Sequence, residues 1–195
     1  DLVEEIIRVT SLNKLISVPL PQNDLGVSRS NLNKLQKNVS KIRRFLASNG
    51  LKETINYSFI DKKNAEIFCD NNNLVMLSNS ISSEMTHLRP SLIPGLLEII
   101  KKNHARGLND IAVFEIGQTF YGSEPGEEKL ELSGVFFGCD NDRNAFQNRR
   151  NFDIYDAKFC VEETLKNIGI NPESLFLERE VPSYFHPNKS AHIKL

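Results

Sequence analysis

The sequence predicts an α+β domain in which helices flank a β-sheet. Residues 111–116 and 130–138 are rich in β-branched and aromatic residues, the composition typical of strands. A third stretch precedes them, and its apolar residues recur at helical spacing: Leu92, Leu96, Ile99 and Ile100. A short extended piece before this helix and a strand after it provide the framework of a sheet.

The first twelve residues predict an amphipathic helix with an acidic start. Its apolar residues are Leu2, Val3, Ile6 and Ile7. Asp1, Glu4 and Glu5 are three and four residues apart, so they share one face of the first turn. Acidic residues there favour the positive end of the helix dipole. The alternative is a site for a hard cation such as Mg2+, whose preferred ligands are carboxylate oxygens.

Residues 13–29 contain Pro19, Pro21 and Gly26 and predict a connector. We therefore expect residues 1–28 to be the end of a preceding domain with its connector. Residues 29–195 would form the main domain. Because the sequence starts abruptly at its first residue and stops inside a strand-like run, we expect a fragment whose main domain continues further.

The next segment predicts a long helix with two different faces. Its apolar residues are Leu32, Leu35, Val39, Ile42 and Leu46, and Gly50 is placed to end it. The opposite side carries basic residues: Lys34, Lys37, Lys41, Arg43 and Arg44. A solvated helix face is the simplest interpretation of these cations. Contact with RNA or with a partner protein is the alternative.

Residues 53–60 alternate between apolar and polar side chains and predict a strand. The apolar side of this strand would consist of Ile55, Tyr57 and Phe59. Asp61 is placed to cap a short helix that extends to Phe68. A polar turn at residues 70–73 then precedes another predicted strand at residues 74–77.

The central stretch has signals for both ends of its helix. A polar turn at residues 79–84 leads into an extended piece that ends in Leu88-Arg89-Pro90. Ser91 can cap the helix that follows, and Gly107 is placed to end it. The basic residues near its end suit the negative pole of the helix: Lys101, Lys102, His104 and Arg106.

The last third of the sequence predicts a buried strand, a helix and two further strands. Val135, Phe136 and Phe137 are apolar in succession, which predicts burial on both faces of their strand. Asp153 or Asp156 is placed to open a helix that reaches Gly169. Residues 175–180 and 191–195 have strand-like patterns.

The overall composition excludes several classes of protein. A formal charge of −1 over 195 residues gives no basic surplus of the kind that marks most nucleic-acid binders. No apolar run approaches membrane-spanning length, and no secretory signal opens the sequence. The odd number of cysteines, Cys69, Cys139 and Cys160, favours reduced thiols in a cytoplasmic protein over a disulfide framework.

Several runs of the sequence resemble one family in the same order. They are NSISSEM at residues 79–85, LRPSLIPGLL at residues 88–97, FEIG at residues 114–117 and FHPNKSA at residues 185–191. Together they closely resemble the β subunit of bacterial phenylalanyl-tRNA synthetase, in particular its class II synthetase-like core domain. The resemblance implies an antiparallel sheet flanked by helices.

The resemblance also implies a function within a larger enzyme. The family's α2β2 tetramer uses ATP to ligate phenylalanine to tRNA(Phe) for protein synthesis in the cytoplasm. The core domain of the β subunit would support the catalytic α subunit without doing chemistry itself. Class II synthetases build dimer-like contacts from a helix and the strand after it. Removing residues 31–49 is therefore expected to weaken contact with the α subunit.

The acidic first turn has a counterpart in the family. Asp1, Glu4 and Glu5 match three of the acidic positions that bind Mg2+ together with the α subunit. The fourth position, an aspartate, would lie upstream of this sequence. The resemblance therefore implies a shared metal site that the fragment alone would form poorly.

The resemblance implies an inactive fragment, because active class II synthetases place an arginine on the ATP phosphate. The corresponding strand here contains Glu115, an acid that would repel phosphate. No glycine-rich strand ending in Glu-Arg occurs in the sequence either. Arg89 is the one candidate substitute, but a structural hydrogen bond or ion pair is the better interpretation of this residue.

Other catalytic sets do not assemble in the sequence. It contains no glycine-rich phosphate loop, no Gly-x-Ser-x-Gly run and no close pair of histidines or cysteines. The histidines are scattered and are expected on the surface or in turns: His87, His104, His186 and His192. Two further functions stay open, namely a free-standing domain that binds a nucleotide or amino acid, and a domain that contacts tRNA.

Overall fold

The computed structural model describes residues 1–19, 31–69, 74–140 and 149–195. The chain divides into two compact units, Asp1–Asn33 and Lys34–Leu195. The predicted turn at residues 70–73 lies outside the described residues, as do Pro21 and Gly26 of the predicted connector. None of the helices in the described ranges is long and apolar enough to cross a membrane.

The first unit contains the predicted amphipathic helix. Helix α1, Leu2–Thr10, is followed by a 3-10 turn, Leu12–Lys14. Ser11 has a φ of 88°, in the left-handed region that most side chains avoid. A right-handed helix cannot continue through such a residue, which explains why α1 ends before Leu12.

The second unit contains four helices and seven strands among the residues that the structure describes. Its helices are α2, Lys34–Ser48; α3, Lys62–Ile67; α4, Ile93–His104; and α5, Ile154–Asn167. Its first five strands are β1, Lys52–Glu53; β2, Phe59–Ile60; β3, His87–Leu88; β4, Ile111–Phe120; and β5, Glu128–Phe137. A 3-10 turn, Pro172–Ser174, then precedes β6, Phe176–Glu178, and β7, His192–Lys194.

The main sheet has the order β1-β4-β5. Strands β4 and β5 pair antiparallel along their whole length, from Ile111 opposite Phe137 to Phe120 opposite Glu128. Strand β1 adds to the other side of β4 in parallel, with Lys52 opposite Val113. The predicted α+β class is therefore confirmed, and its long strand pair has the expected antiparallel direction.

Alternate residues of β4 pack against helices on opposite faces of the sheet, as the two-residue period of a strand requires. On one face, Ile111 and Val113 form a buried cluster with Leu96 and Ile100 of α4. On the other face, Phe114 is fully buried against Leu46 of α2 and Leu51. The sheet therefore has helices on both faces.

The predicted burial of β5 on both faces is only partial, because Val135 and Phe136 are half-buried and Phe137 is exposed. Val135 packs against the α4 cluster, and Phe136 packs against the cluster around Phe114. Phe137 remains 37% exposed, with its ring edge-on to the His104 ring at 5.2 Å.

The predicted strand at residues 53–60 is wrong in its middle. The chain leaves the main sheet after Glu53 and joins a second sheet at Phe59, which pairs with Leu88. Between these points Ile55 is 92% exposed and Tyr57 is 75% exposed, so their alternation does not reflect a buried face. The predicted strand at residues 74–77 likewise amounts to one isolated bridge, Met76 to His87.

The predicted helix caps at Asp61 and Asp153 are confirmed. Asp61 accepts a hydrogen bond from the Asn64 amide at 3.0 Å and opens α3. Asp153 opens α5 in a capping box in which the Asp156 side chain accepts from the Asp153 amide. Ser91 accepts from the Ile93 amide at 3.2 Å, although α4 begins one residue later than expected.

Candidate functional site

Arg89 and Glu115 form a buried ion pair beside the main sheet. Nη1 of Arg89 donates a 2.6 Å hydrogen bond to Oε1 of Glu115, and the two side chains are 6% and 3% exposed. Nε of Arg89 donates to the Gln118 carbonyl at 2.9 Å. Because Arg89 follows β3 and Glu115 lies in β4, the pair ties the small sheet to the central strand.

Asn56 completes the hydrogen bonding of the Glu115 carboxylate. Its backbone amide donates to Oε1 at 3.3 Å, and its side-chain amide donates to Oε2 at 2.6 Å. A buried charge is tolerated only when it is paired and hydrogen-bonded. The structural ion pair predicted for Arg89 is therefore confirmed.

Two glycines make room for this cluster. A Cβ atom on Gly117 would lie 2.4 Å from Nη2 of Arg89, closer than real Cβ atoms come to other atoms. A Cβ atom on Gly95 would lie 3.0 Å from the Cβ atom of Asn56. The runs FEIG and LRPSLIPGLL thus supply the two charges and the two glycines of one packed cluster.

This cluster is unsuited to binding a phosphate. Glu115 lies in the strand that the family resemblance matches to the one carrying the phosphate-binding arginine of active synthetases, and its negative charge would repel a phosphate. Arg89, the candidate substitute, is nearly fully buried and donates to Glu115 and Gln118. The arrangement therefore serves packing and cross-linking of elements rather than the stabilisation of developing negative charge.

A cleft of about 420 Å3 lies next to Asn56, between α3 and the first turns of α4. Its lining includes three carboxylates, Asp61, Glu84 and Glu98, and one lysine, Lys102. Asp61 is already engaged as the cap of α3. Because acidic groups outnumber basic ones, the cleft has the wrong sign for a triphosphate.

The acidic first turn of α1 does not form a closed metal site. Asp1, Glu4 and Glu5 are exposed, and Glu5 accepts hydrogen bonds from Arg8 at 2.6 and 3.0 Å. No three His, Cys, Asp or Glu side chains in the described ranges are placed to hold a metal ion together. The donor chemistry fits Mg2+, but the geometry would need oxygen ligands from elsewhere.

The histidines and cysteines do not come together as ligands or bases. His87 corrects one prediction, because it is 5% exposed in β3 and its Nδ1 lies 2.8 Å from Oγ1 of Thr86. The pairing of β3 with β2 on one side and with Met76 on the other buries it. His186 lies in a turn as predicted, where its Nδ1 accepts from the Asn188 amide. The three cysteines are free.

The chain has the fold of class II aminoacyl-tRNA synthetases. Two solved structures of pyrrolysyl-tRNA synthetase from Desulfitobacterium hafniense superpose on 75% of this chain with TM-scores of 0.56 and 0.54. The matched regions make up 49% and 50% of the two synthetase chains, and the sequence identities are 18% and 16%. A similarity at this level of identity establishes the fold alone.

The sequence identifies the family. Residues 17–195 match the family described as the phenylalanyl tRNA synthetase beta chain CLM domain, and the chain belongs to this family. It is 45% identical over 195 residues to the phenylalanine–tRNA ligase beta subunit of Cereibacter sphaeroides. The identity to the corresponding subunit of Ruegeria pomeroyi is 40%. In both comparisons the whole chain aligns, and it spans 24% of the relative's length.

Sequence reasoning missed two features of the buried cluster. Arg89 was correctly interpreted, but neither its partner Glu115 nor the contribution of Asn56 was predicted. The signal lay in Gly117, which follows Glu115 by two residues and therefore shares its side of the strand. A glycine beside a buried acid indicates that another group must approach closely there.

Proposed function

We propose that this chain is the non-catalytic core domain of a phenylalanyl-tRNA synthetase β subunit. In the parent enzyme it supports the catalytic α subunit, and the α2β2 tetramer ligates phenylalanine to tRNA(Phe) in the cytoplasm with ATP and Mg2+. The isolated domain performs no ligation. Its work is to hold the α subunit in place.

The observation that carries this proposal is the position of Glu115. Class II synthetases depend on positive charge at the reacting phosphate, because charge stabilisation is their main catalytic device. Here the corresponding strand presents a carboxylate that is buried and bound by Arg89 and Asn56. Family membership together with this substitution favours a domain that retains the synthetase framework for assembly.

Helix α2 is the proposed contact with the α subunit. Its C-terminal half packs in the core through Ile42, Phe45 and Leu46. Its N-terminal half continues the same apolar side outside the core, where Leu35 is 58% exposed. In this proposal the α subunit covers the exposed apolar side chain of Leu35 and so extends the buried side of α2.

The acidic first turn is proposed to contribute to Mg2+ binding. Asp1, Glu4 and Glu5 would supply carboxylate oxygens, and the α subunit and an upstream aspartate would supply the others. Bound Mg2+ would neutralise the repulsion among these acids. This chain alone is therefore expected to bind Mg2+ weakly.

The test is to mix the purified chain with the α subunit and measure the mass of the co-eluting complex, with and without Mg2+. We expect a stable complex that Leu35→Asp weakens at least about tenfold, which corresponds to 1.4 kcal/mol. Leu97→Asp is the control, because Leu97 is similarly exposed, at 44%, on α4. Asp1→Asn with Glu4→Gln should remove any dependence on Mg2+.

Three outcomes would contradict the proposal. One is a folded chain that does not associate with the α subunit at all. Another is an equal loss of association in the Leu35 and Leu97 variants. The third is binding of ATP or phenylalanine by the isolated chain, which would instead favour a free-standing ligand-binding domain.

A further inference from the structure

Helix α2 concentrates positive charge on a protein that is otherwise nearly neutral. It contains five basic residues and no acidic residue, whereas the whole chain has a net charge of −1. Four of the five form what we call the cationic stripe, which consists of Lys34, Lys37, Lys41 and Arg44. The fifth, Arg43, is bound by Glu53 at 2.6 Å.

The cationic stripe lies on one face of the helix and points away from the core. Its members follow at intervals of three, four and three residues, which keeps them within about 80° of one another around the helix axis. All four side chains are exposed. The core contacts of α2 are made by Ile42, Phe45 and Leu46. Ile42 and Leu46 lie across the helix from the stripe, and Phe45 lies beside its edge.

The charge of the cationic stripe is not neutralised within the part of the chain that the structure describes. None of its four members forms an ion pair with a described acid. Like charges three and four residues apart repel and destabilise a helix. A polyanion bound along the stripe would relieve this repulsion.

We propose that the cationic stripe binds the phosphate backbone of RNA. Protein interfaces are depleted in lysine and enriched in aromatic residues, whereas the stripe consists of three lysines and one arginine. Lysine is a point charge on a flexible stem, which suits phosphates better than the planar recognition of bases. From Lys34 to Arg44 the stripe extends about 15 Å, enough to contact several phosphates of one strand.

This binding is independent of the proposed contact with the α subunit. Leu35 belongs to the apolar side of α2, and the cationic stripe lies across the helix from it. The RNA measurement needs no α subunit. Failure of one proposal therefore leaves the other intact.

The experiment measures the affinity of the chain for a fluorescent tRNA(Phe) transcript by anisotropy, between about 50 and 200 mM salt. The test variant carries Lys34→Gln, Lys37→Gln and Lys41→Gln. The control variant carries Lys63→Gln, Lys102→Gln and Lys189→Gln. These control lysines are also exposed, and the substitutions remove the same three charges. Circular dichroism confirms that both variants remain folded.

We expect the test variant to lose at least about tenfold in affinity at the lower salt concentration. The slope of log affinity against log salt should fall by about two to three, because each phosphate contact contributes about 0.7–0.9. The control variant should bind as the unmodified chain does. Undetectable RNA binding at low salt, or an equal loss in both variants, would overturn the proposal. So would unchanged RNA affinity in a test variant that no longer associates with the α subunit, because the stripe would then be a protein contact.

Discussion

The side-chain amide of Asn56 donates a 2.6 Å hydrogen bond to Oε2 of Glu115, across 59 positions of sequence. This bond fixes the segment between β1 and β2 against the central strand. The same segment crosses from the main sheet to the β2–β3 sheet. Between β1 and β2 the chain is therefore held by a side-chain hydrogen bond, where the alternation of Ile55 and Tyr57 with polar residues predicts a strand.

Removing one charge of the buried pair should destabilise the domain strongly. Glu115→Gln leaves the Arg89 guanidinium buried without a counter-charge, which typically costs about 3–5 kcal/mol. We expect a loss of this size in the free energy of unfolding measured in urea. Glu53→Gln should cost less than about 1 kcal/mol, because its pair with Arg43 is partly exposed.

The pair should behave as a unit in a double-mutant cycle. In the variant with both Arg89→Met and Glu115→Leu no buried charge remains, so most of the lost stability should return. Losses that simply add in the double variant would show that the two side chains act independently. That result would contradict the structural role assigned to the pair.

Gly117 should not tolerate a side chain. Gly117→Ala places a methyl group 2.4 Å from Nη2 of Arg89, so the guanidinium must move from its partners. Overpacking of this kind typically costs about 1–3 kcal/mol of unfolding free energy. Gly134→Ala is the control, because its Cβ atom would make an ordinary contact at 3.5 Å. Equal melting temperatures for the two variants would argue against a tight fit at Gly117.

Local sequence signals predicted the regular elements well. Helix caps such as Asp61 and Asp153 act within three residues of their own position, so the sequence contains the whole interaction. The long strands β4 and β5 likewise follow from their β-branched and aromatic composition. Strands β6 and β7, which pair with each other, also lie within the predicted ranges, residues 175–180 and 191–195.

Non-local contacts explain what the sequence left open. The segment at residues 54–58 passes from one sheet to the other, and the hydrogen bond from Asn56 to Glu115 holds it there. Because Glu115 is far from Asn56 in the chain, the alternation of apolar and polar residues predicted a continuous strand instead. His87 is buried because β3 pairs on both sides, and the residues next to it in the sequence do not predict this pairing. The residue patterns predicted the α+β class and the family resemblance predicted its antiparallel sheet, whereas the interaction that occupies Arg89 required the structure.

The stability contributed by Asp156 should depend on pH. Hydrogen bonds from the Arg150 guanidinium hold the pKa of the Asp156 carboxyl below its ordinary value of 3.8. A lowered pKa in the folded state contributes stability above the unfolded pKa, and this contribution is lost as the pH falls through the folded pKa. Asp156→Asn should therefore melt at a lower temperature than the unmodified chain at pH 7, and the difference should shrink below about pH 4.

The control for this pH dependence is Glu84→Gln. Glu84 is exposed and makes no ion pair with the described residues, so at pH 7 its variant should lower the melting temperature less than Asp156→Asn does. The measurement is thermal unfolding by circular dichroism across the acidic range. A constant difference between Asp156→Asn and the unmodified chain, from neutral to acidic pH, would contradict the assigned role of the Arg150 contact.

Cys160 should react slowly with alkylating reagents in the folded protein. Burial raises the pKa of its thiol, and only the thiolate is nucleophilic. The residue also packs against the cluster around Phe114, which restricts access to the sulfur. We expect iodoacetamide at pH 8 to modify Cys160 at least about tenfold more slowly in the native chain than in urea. Peptide mass spectrometry measures the rate, and Phe114→Ala, which opens the cluster, should accelerate it. Native and unfolded rates that agree would show that α5 does not shield this thiol.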